Sequence, residues 1–166
     1  MTLERQGHHR LVTWRIPAAL WLISLALPAQ EPLEPSSDAD LRALIEKAGE
    51  SKDNSGADLV TVFKRTAVKV EDSGLARIET HDLTKCLTEK GAALLARLRF
   101  DYDPTSNKIE LRALRMLRKG GAVEVLPLDR GVDLPQPQHG IYWGQRMILH
   151  ALPRLQPGDA VEVKTS

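Results

Sequence analysis

The stretch from Ala57 to Leu87 constrains this chain most. ADLVTVFKRTAVKV is dense in β-branched residues, and Val60, Val62, Val68 and Val70 share one parity against Leu59, Thr61, Phe63 and Ala67. Alternation of this kind has the period of a strand, and apolar residues on both parities predict that both faces are partly covered. Glu71-Asp72-Ser73-Gly74 supplies turn chemistry, with Gly74 free to take a positive φ. LARIETHDLTKCL then returns as a second strand. A long antiparallel hairpin follows, and a hairpin of this length needs further strands or a helix to cover it.

The remaining sequence supplies them. TEKGAALLARL reads as a short helix capped by Thr88, with Leu94, Leu95 and Leu98 as its stripe and Gly91 weakening it. In RFDYDPTSNKIELRALRML, Phe100 and Tyr102 alternate with charge, residues 103–107 have turn chemistry, and Ile109, Leu111 and Ala113 alternate again. Lys119-Gly120-Gly121 turns the chain into AVEVLPL. Residues 129–144, rich in glycine and proline, read as an irregular loop. RMILHALPRL and AVEVKTS are strands separated by Gln156-Pro157-Gly158-Asp159. The expectation is a mainly β fold: an antiparallel β-sandwich-like module over 57–166, broken off in a strand and so truncated at its C-terminal end.

Ahead of it, residues 30–56 form a Pro- and Ser-rich linker and one amphipathic helix. In DADLRALIEKAGES, Leu41, Leu44, Ile45 and Ala48 share a stripe, Asp38 or Asp40 can cap the start, and Gly49 can end it. Residues 1–29 read as a cleavable signal peptide. MTLERQGHHRLVTWR carries scattered positive charge, IPAALWLISLALPAQ is uncharged, and Ala26 and Ala29 are small residues at the exit. The apolar part is short of the ~20 residues of a spanning helix, so no stable membrane span is expected after cleavage. An uncleaved anchor is the alternative. The predicted location is periplasmic or extracellular.

Composition excludes some partners. The formal net charge is +1, with 23 Lys and Arg against 22 Asp and Glu. A chain so balanced offers no electrostatic ground for a nucleic-acid partner. Two of the three tryptophans, Trp14 and Trp21, lie in the leader, which leaves thin material for an aromatic stacking platform.

The run from Asp58 to Val163 resembles the domain of unknown function found N-terminal to transglutaminase-like domains in exported bacterial proteins. The hairpin, Leu87-Thr88-Glu89 with Gly91, the turn Tyr102-Asp103-Pro104, and the closing Pro153, Gly158 and Asp159 before a final strand carry the resemblance. The sequence departs from it at Lys119-Gly120-Gly121, where the family has a Pro-Asp-Gly turn. The resemblance implies a β-sandwich-like, non-catalytic module whose partner is a downstream transglutaminase-like domain or another protein. The catalytic cysteine, histidine and aspartate would then lie beyond Ser166, and no binding residue carries over.

Four candidate sites stand against plainer readings. Cys86, His139 or His150, and Asp159 follow the chain order of a small cysteine hydrolase, the alternative function, and Cys86 precedes a helix start. Against this, Cys86 lies in an apolar run, Asp159 in a turn and His150 along a strand. Asp101, Asp103, Thr105 and Asn107 have the oxygen spacing of a calcium loop's start, but Ser106 and Arg112 occupy positions that need glycine and glutamate. Arg112, Arg115, Arg118 and Lys119 read as a solvated edge. Tyr142 and Trp143 in the 129–144 loop are the candidate partner-binding residues. An open edge at AVEVKTS offers a third reading, a scaffold that pairs through that strand. No cofactor or metal is implied.

Overall fold

A computed structural model describes residues 37–137 and 144–166. The leader, the linker through residue 36, and His139, Tyr142 and Trp143 lie outside the described residues. No helix among the described residues is long and apolar enough to cross a membrane.

The first helix, α1 (Asp38–Lys47), starts one residue earlier than an Asp38 cap would place it and three earlier than an Asp40 cap would. Ser37 is the N-cap: its hydroxyl accepts from the Asp40 amide, and the Asp40 carboxylate accepts from the Ser37 amide. This reciprocal pair satisfies two amides that the first helical turn cannot. Gly49, at φ +72, carries the chain out of the helix as expected. A 3₁₀ turn at Ser51–Asn54 then leads into the hairpin.

The hairpin is β1 (Leu59–Val70) and β2 (Ala76–Cys86), paired antiparallel along their lengths with one register shift between Thr61 and Phe63. Next come α2 (Glu89–Leu95), β3 (Arg97–Tyr102), β4 (Leu111–Leu117) and β5 (Val123–Val125). The loop read as irregular contains a short edge strand, β6 (Val132–Pro135), followed later by β7 (Arg146–Ala151) and β8 (Ala160–Thr165). Pro135 ends β6 on the outside of its sheet, where a missing N–H costs no ladder bond.

The strands form two antiparallel sheets, ordered β1-β2-β8-β4-β5 and β3-β7-β6. The expected mainly β, antiparallel, sandwich-like architecture with an N-terminal helix and a short inserted one is therefore what the chain adopts. The strand proposed as an open edge, β8, is instead interior, bonded to β2 on one side and β4 on the other. Hairpin-local patterning could not reveal this, because the pairing joins segments some 50 and 80 residues apart.

The larger sheet has a core on each face. Cys86, Leu114, Met116 and Val161 pack with Ala92 of α2, Leu126 and Leu155, and with half-buried Leu95 and Leu98. On the opposite face Leu83, Leu117 and Ala160 pack with Leu41 of α1, joined by Ile45, Val62 and Phe63. The stripe predicted for α1 thus finds its cover on its own domain.

Candidate functional site

Between α1 and the base of the larger sheet lies a cleft of about 500 Å³. Ile45 and Gly49 line one wall, Lys85, Leu87 and Leu117 another, and Lys119 and Gly158 the rim. Several cations reach it, but the fold engages most of them. Lys85 is buried, and its Nζ donates to the carbonyls of Ile45 at 3.0 Å and Gly49 at 2.7 Å, closing the C-terminal end of α1. Arg42 donates to the backbone carbonyls of Arg118 and Gly121. The Arg118 guanidinium bonds Glu124 at 2.8 and 3.0 Å and Asp159 at 2.8 Å, and these acidic partners, Glu124 first, raise its pKa further.

Cys86 backs this cleft and is fully buried. Burial, with the charge of Asp159 second, pushes its thiol up to about 11. That is the opposite of what a nucleophilic cysteine requires, since the thiolate is the reactive form. Cys86 and Asp159 are neighbours through the backbone: the Cys86 amide donates to the Asp159 carbonyl, and the Gly158 amide to the Cys86 carbonyl, both at 2.8 Å. The Asp159 carboxylate accepts from the Arg118 guanidinium and from the amides of Lys119 and Gln156. His150 is buried on β7, its Nε2 2.9 Å from the Pro127 carbonyl oxygen. Among the described residues, no side-chain hydrogen bond links Cys86, His150 and Asp159. His139, the other histidine of the proposed set, lies outside them.

Sequence patterning missed a buried ionic chain on the α1 face. Glu162 of β8 accepts from His81 Nε2 at 2.7 Å and from Arg115 Nε, and Arg115 reaches on to Asp38 of α1 at 2.8 Å. Burial alone would push the Glu162 carboxyl up, but the hydrogen bonds from Arg115 and His81 outweigh it and hold the group below the ordinary glutamate range. Phe63 packs edge-on against the His81 ring, with centroids 4.8 Å apart. The reading of Arg112, Arg115 and Arg118 as a solvated edge is therefore corrected. β4 is interior and Arg115 and Arg118 are half-buried bridges, while Lys119 and Arg112 stay exposed, Arg112 beside Glu110 and Ser166.

The oxygens of the calcium-like spacing serve their own turn. Asp103 Oδ1 accepts from the amide and hydroxyl of Thr105, Asn107 Oδ1 accepts from the Asp103 amide, and Asp101 pairs with Arg99. Beside this turn, Tyr102 donates to Asp133 at 2.7 Å and Arg146 reaches the same carboxylate at 3.0 Å, tying β3, β6 and β7 together. No cluster of three metal-ligating side chains occurs among the described residues.

The strand order, the α2 cap and the closing Pro-Gly-Asp turn define a sequence signature that can be compared with known families. The model of a domain of unknown function with a solved structure, DUF3857, matches residues 72–166, more than half of the chain. The chain belongs to this family. The first DUF3857 element matched is the turn of the β1–β2 hairpin; β1 and α1 precede the matched span. No curated protein matches the chain. Among solved structures, the fold is similar to a proposed protease from Parabacteroides distasonis ATCC 8503, with a TM-score of 0.57 over 65% of this chain at 11% identity. The likeness covers 22% of that protein, so the DUF3857 chain spans about a fifth of its length.

Proposed function

We propose that this DUF3857 domain is a non-catalytic accessory or interaction module of an exported transglutaminase-like protein. One observation carries the reading: the only thiol of the chain, Cys86, is fully buried and its pKa is raised to about 11. At neutral pH such a group is protonated and sits as a small apolar side chain in the core. Two further observations support it. The sandwich recurs as about a fifth of a longer protein described as a proposed protease, consistent with a module carried beside a catalytic domain. The N-terminal sequence has the charge, apolar core and small-residue exit of an export signal. Tyr142 and Trp143 are the residues proposed to meet the partner.

The alternative is a small cysteine hydrolase using Cys86 with His139 or His150 and Asp159. The closeness of Cys86 and Asp159, behind a cleft large enough for a peptide side chain, favours it. One experiment separates the two. Amide hydrolysis and acyl transfer are assayed with the purified protein and its Cys86→Ser variant. Equal rates in both are expected; turnover that disappears with Cys86 overturns the accessory reading.

A further inference from the structure

The cleft between α1 and the larger sheet holds charge that the fold does not neutralise. Of the charged side chains that line it, Arg118 is paired with Glu124 and Asp159, and Lys52 with Glu50 at 3.2 Å. Arg42 and Lys85 are held by backbone carbonyls alone. The Lys119 ammonium has no acceptor among the described residues, and Glu46 has no cation within pairing distance among them. Three cations without a carboxylate therefore face this cleft, against one carboxylate without a cation.

Lys85 is the sharpest case, because it is only 9% exposed. An ammonium has three donors. The Ile45 and Gly49 carbonyls take two of them; the third has no acceptor among the described residues, and the open space beside it is the cleft. Removing an ammonium from water is costly unless it is paired, and the negative end of α1 offsets only part of that cost. An anion in the cleft would complete the set. Lys119 is placed to share it: the Lys119 stem lies against Gly158 at the rim, where an added β-carbon would meet it at 2.7 Å.

The rest of the lining is apolar. Ile45, Leu87, Leu117 and Pro157 surround the space, with Cys86 behind them. A volume of about 500 Å³ lies within the ~300–1,000 Å³ of small-molecule sites, which combine apolar walls with a few placed polar groups. The cleft stands at the Ala160 end of β8, where Ala160 faces Lys85. From there the strand runs away from it, so that Thr165 lies about 17 Å along the sheet.

We propose that this cleft is a binding site for a carboxylate carried on an apolar body. The carboxylate bridges the Lys85 and Lys119 ammonium groups, and the apolar body lies on Ile45, Leu87, Leu117 and Pro157. A cationic ligand fits less well, since only Glu46 would receive it while Arg42, Lys85 and Lys119 oppose it. A free aliphatic acid and the chain end of a peptide both present this chemistry. No bond is made or broken, and binding requires nothing of the Cys86 thiol.

Titration of the complete protein with octanoate, octanamide and octylammonium at pH 7, followed by amide NMR shifts, tests it. Octanoate should bind at least about tenfold more tightly than either analogue, the equivalent of one charge-assisted hydrogen bond. Its shifts should centre on Gly49, Lys119 and Gly158. In Lys85→Met the preference of octanoate over octanamide should vanish while octanamide still binds, a ratio that a general loosening of α1 would not change. Lys119→Glu, at an exposed position that does not threaten folding, should lower the same ratio at least about fivefold. An acetylated leucyl-leucine with a free carboxylate distinguishes the source: tighter binding than octanoate marks a peptide chain end, weaker binding an aliphatic acid. Equal affinity for octanoate and octanamide, a preference for octylammonium, shifts centred elsewhere, or a ratio that survives both substitutions would each overturn the proposal. None of these results bears on the accessory reading, which falls on Cys86-dependent turnover and not on binding.

Discussion

A β-carbon added to Gly91 would lie 2.0 Å from the carbonyl oxygen of Asp58. No rotamer relieves that contact, because both partners are backbone. The first turn of α2 is pressed against the entry to β1, and Asp58 binds it there through three contacts. Its carbonyl accepts from the Leu87 amide at 2.9 Å, its carboxylate accepts from the Thr88 hydroxyl at 2.7 Å, and Lys90 pairs with it at 2.8 Å. Glycine costs helix propensity here and gains the close approach. Gly91→Ala should therefore destabilise the domain by about 3 kcal/mol, at the upper end of overpacking penalties. Gly120→Ala, with nothing near its added carbon, should be close to neutral. Urea unfolding of the two variants measures the contrast.

The Glu162 chain makes a prediction with a sign. Its folded pKa lies below the ordinary value, so the carboxylate contributes stability that is fully present above the unfolded pKa of about 4.3 and is lost as pH falls through the depressed value. Glu162→Gln leaves Arg115 without its buried counter-ion and should cost about 3 kcal/mol at pH 7. At pH 3, below the unfolded pKa, the unfolded chain takes up the proton and the contribution of the ionised carboxylate falls, so the difference between the two proteins should shrink. Denaturant melts of both at the two pH values test this. A pH-independent difference would mean that packing, and not ionisation, holds the site.

Local chemistry in the sequence was enough to place the hairpin, the Thr88 cap and the Gly158 turn, since each depends on residues within a few positions of one another. The α1 cap fell one residue early for the same kind of reason: three consecutive cap-forming side chains compete, and Ser37 with Asp40 three residues on forms the reciprocal pair that Asp38 and Asp40 cannot. β6 was hidden because four residues ending in proline have no period to read. Arg115 was misjudged because its partners, Asp38 and Glu162, lie 77 and 47 residues away. Only the strand order β2-β8-β4 brings them together, and nothing in the spacing of the arginines encodes that order. Cys86 was legible from its apolar flanks, whereas the cleft behind it depends on where α1 docks.

The thiol should be silent until the domain opens. With its pKa at about 11 and no exposed surface, Cys86 should react with a maleimide or disulfide probe only through unfolding. Labelling at pH 7 should be complete within minutes in denaturant and absent over the same time without it. The native rate should rise in the Gly91→Ala variant in step with its lost stability. Prompt native labelling would place the sulfur in the cleft and revive its candidacy as a nucleophile.

Lys85 offers the most direct control over α1. Its buried Nζ is held by the Ile45 and Gly49 carbonyls, so one charge both completes the open end of the helix and fixes α1 to β2. Lys85→Met keeps the apolar stem and removes only the donor, leaving those carbonyls without their charged partner. A loss of about 2 kcal/mol is expected, the range for hydrogen bonds to a charged group. The effect should be local: amides of Leu44 to Lys47 should exchange faster, while those of the β2–β8–β4 sheet keep their protection. Because Arg115 and Asp38 still hold the first turn, the helix should fray from its C-terminal end and not detach whole. Equal acceleration at both ends would show instead that Lys85 is the single point on which the docking of α1 depends.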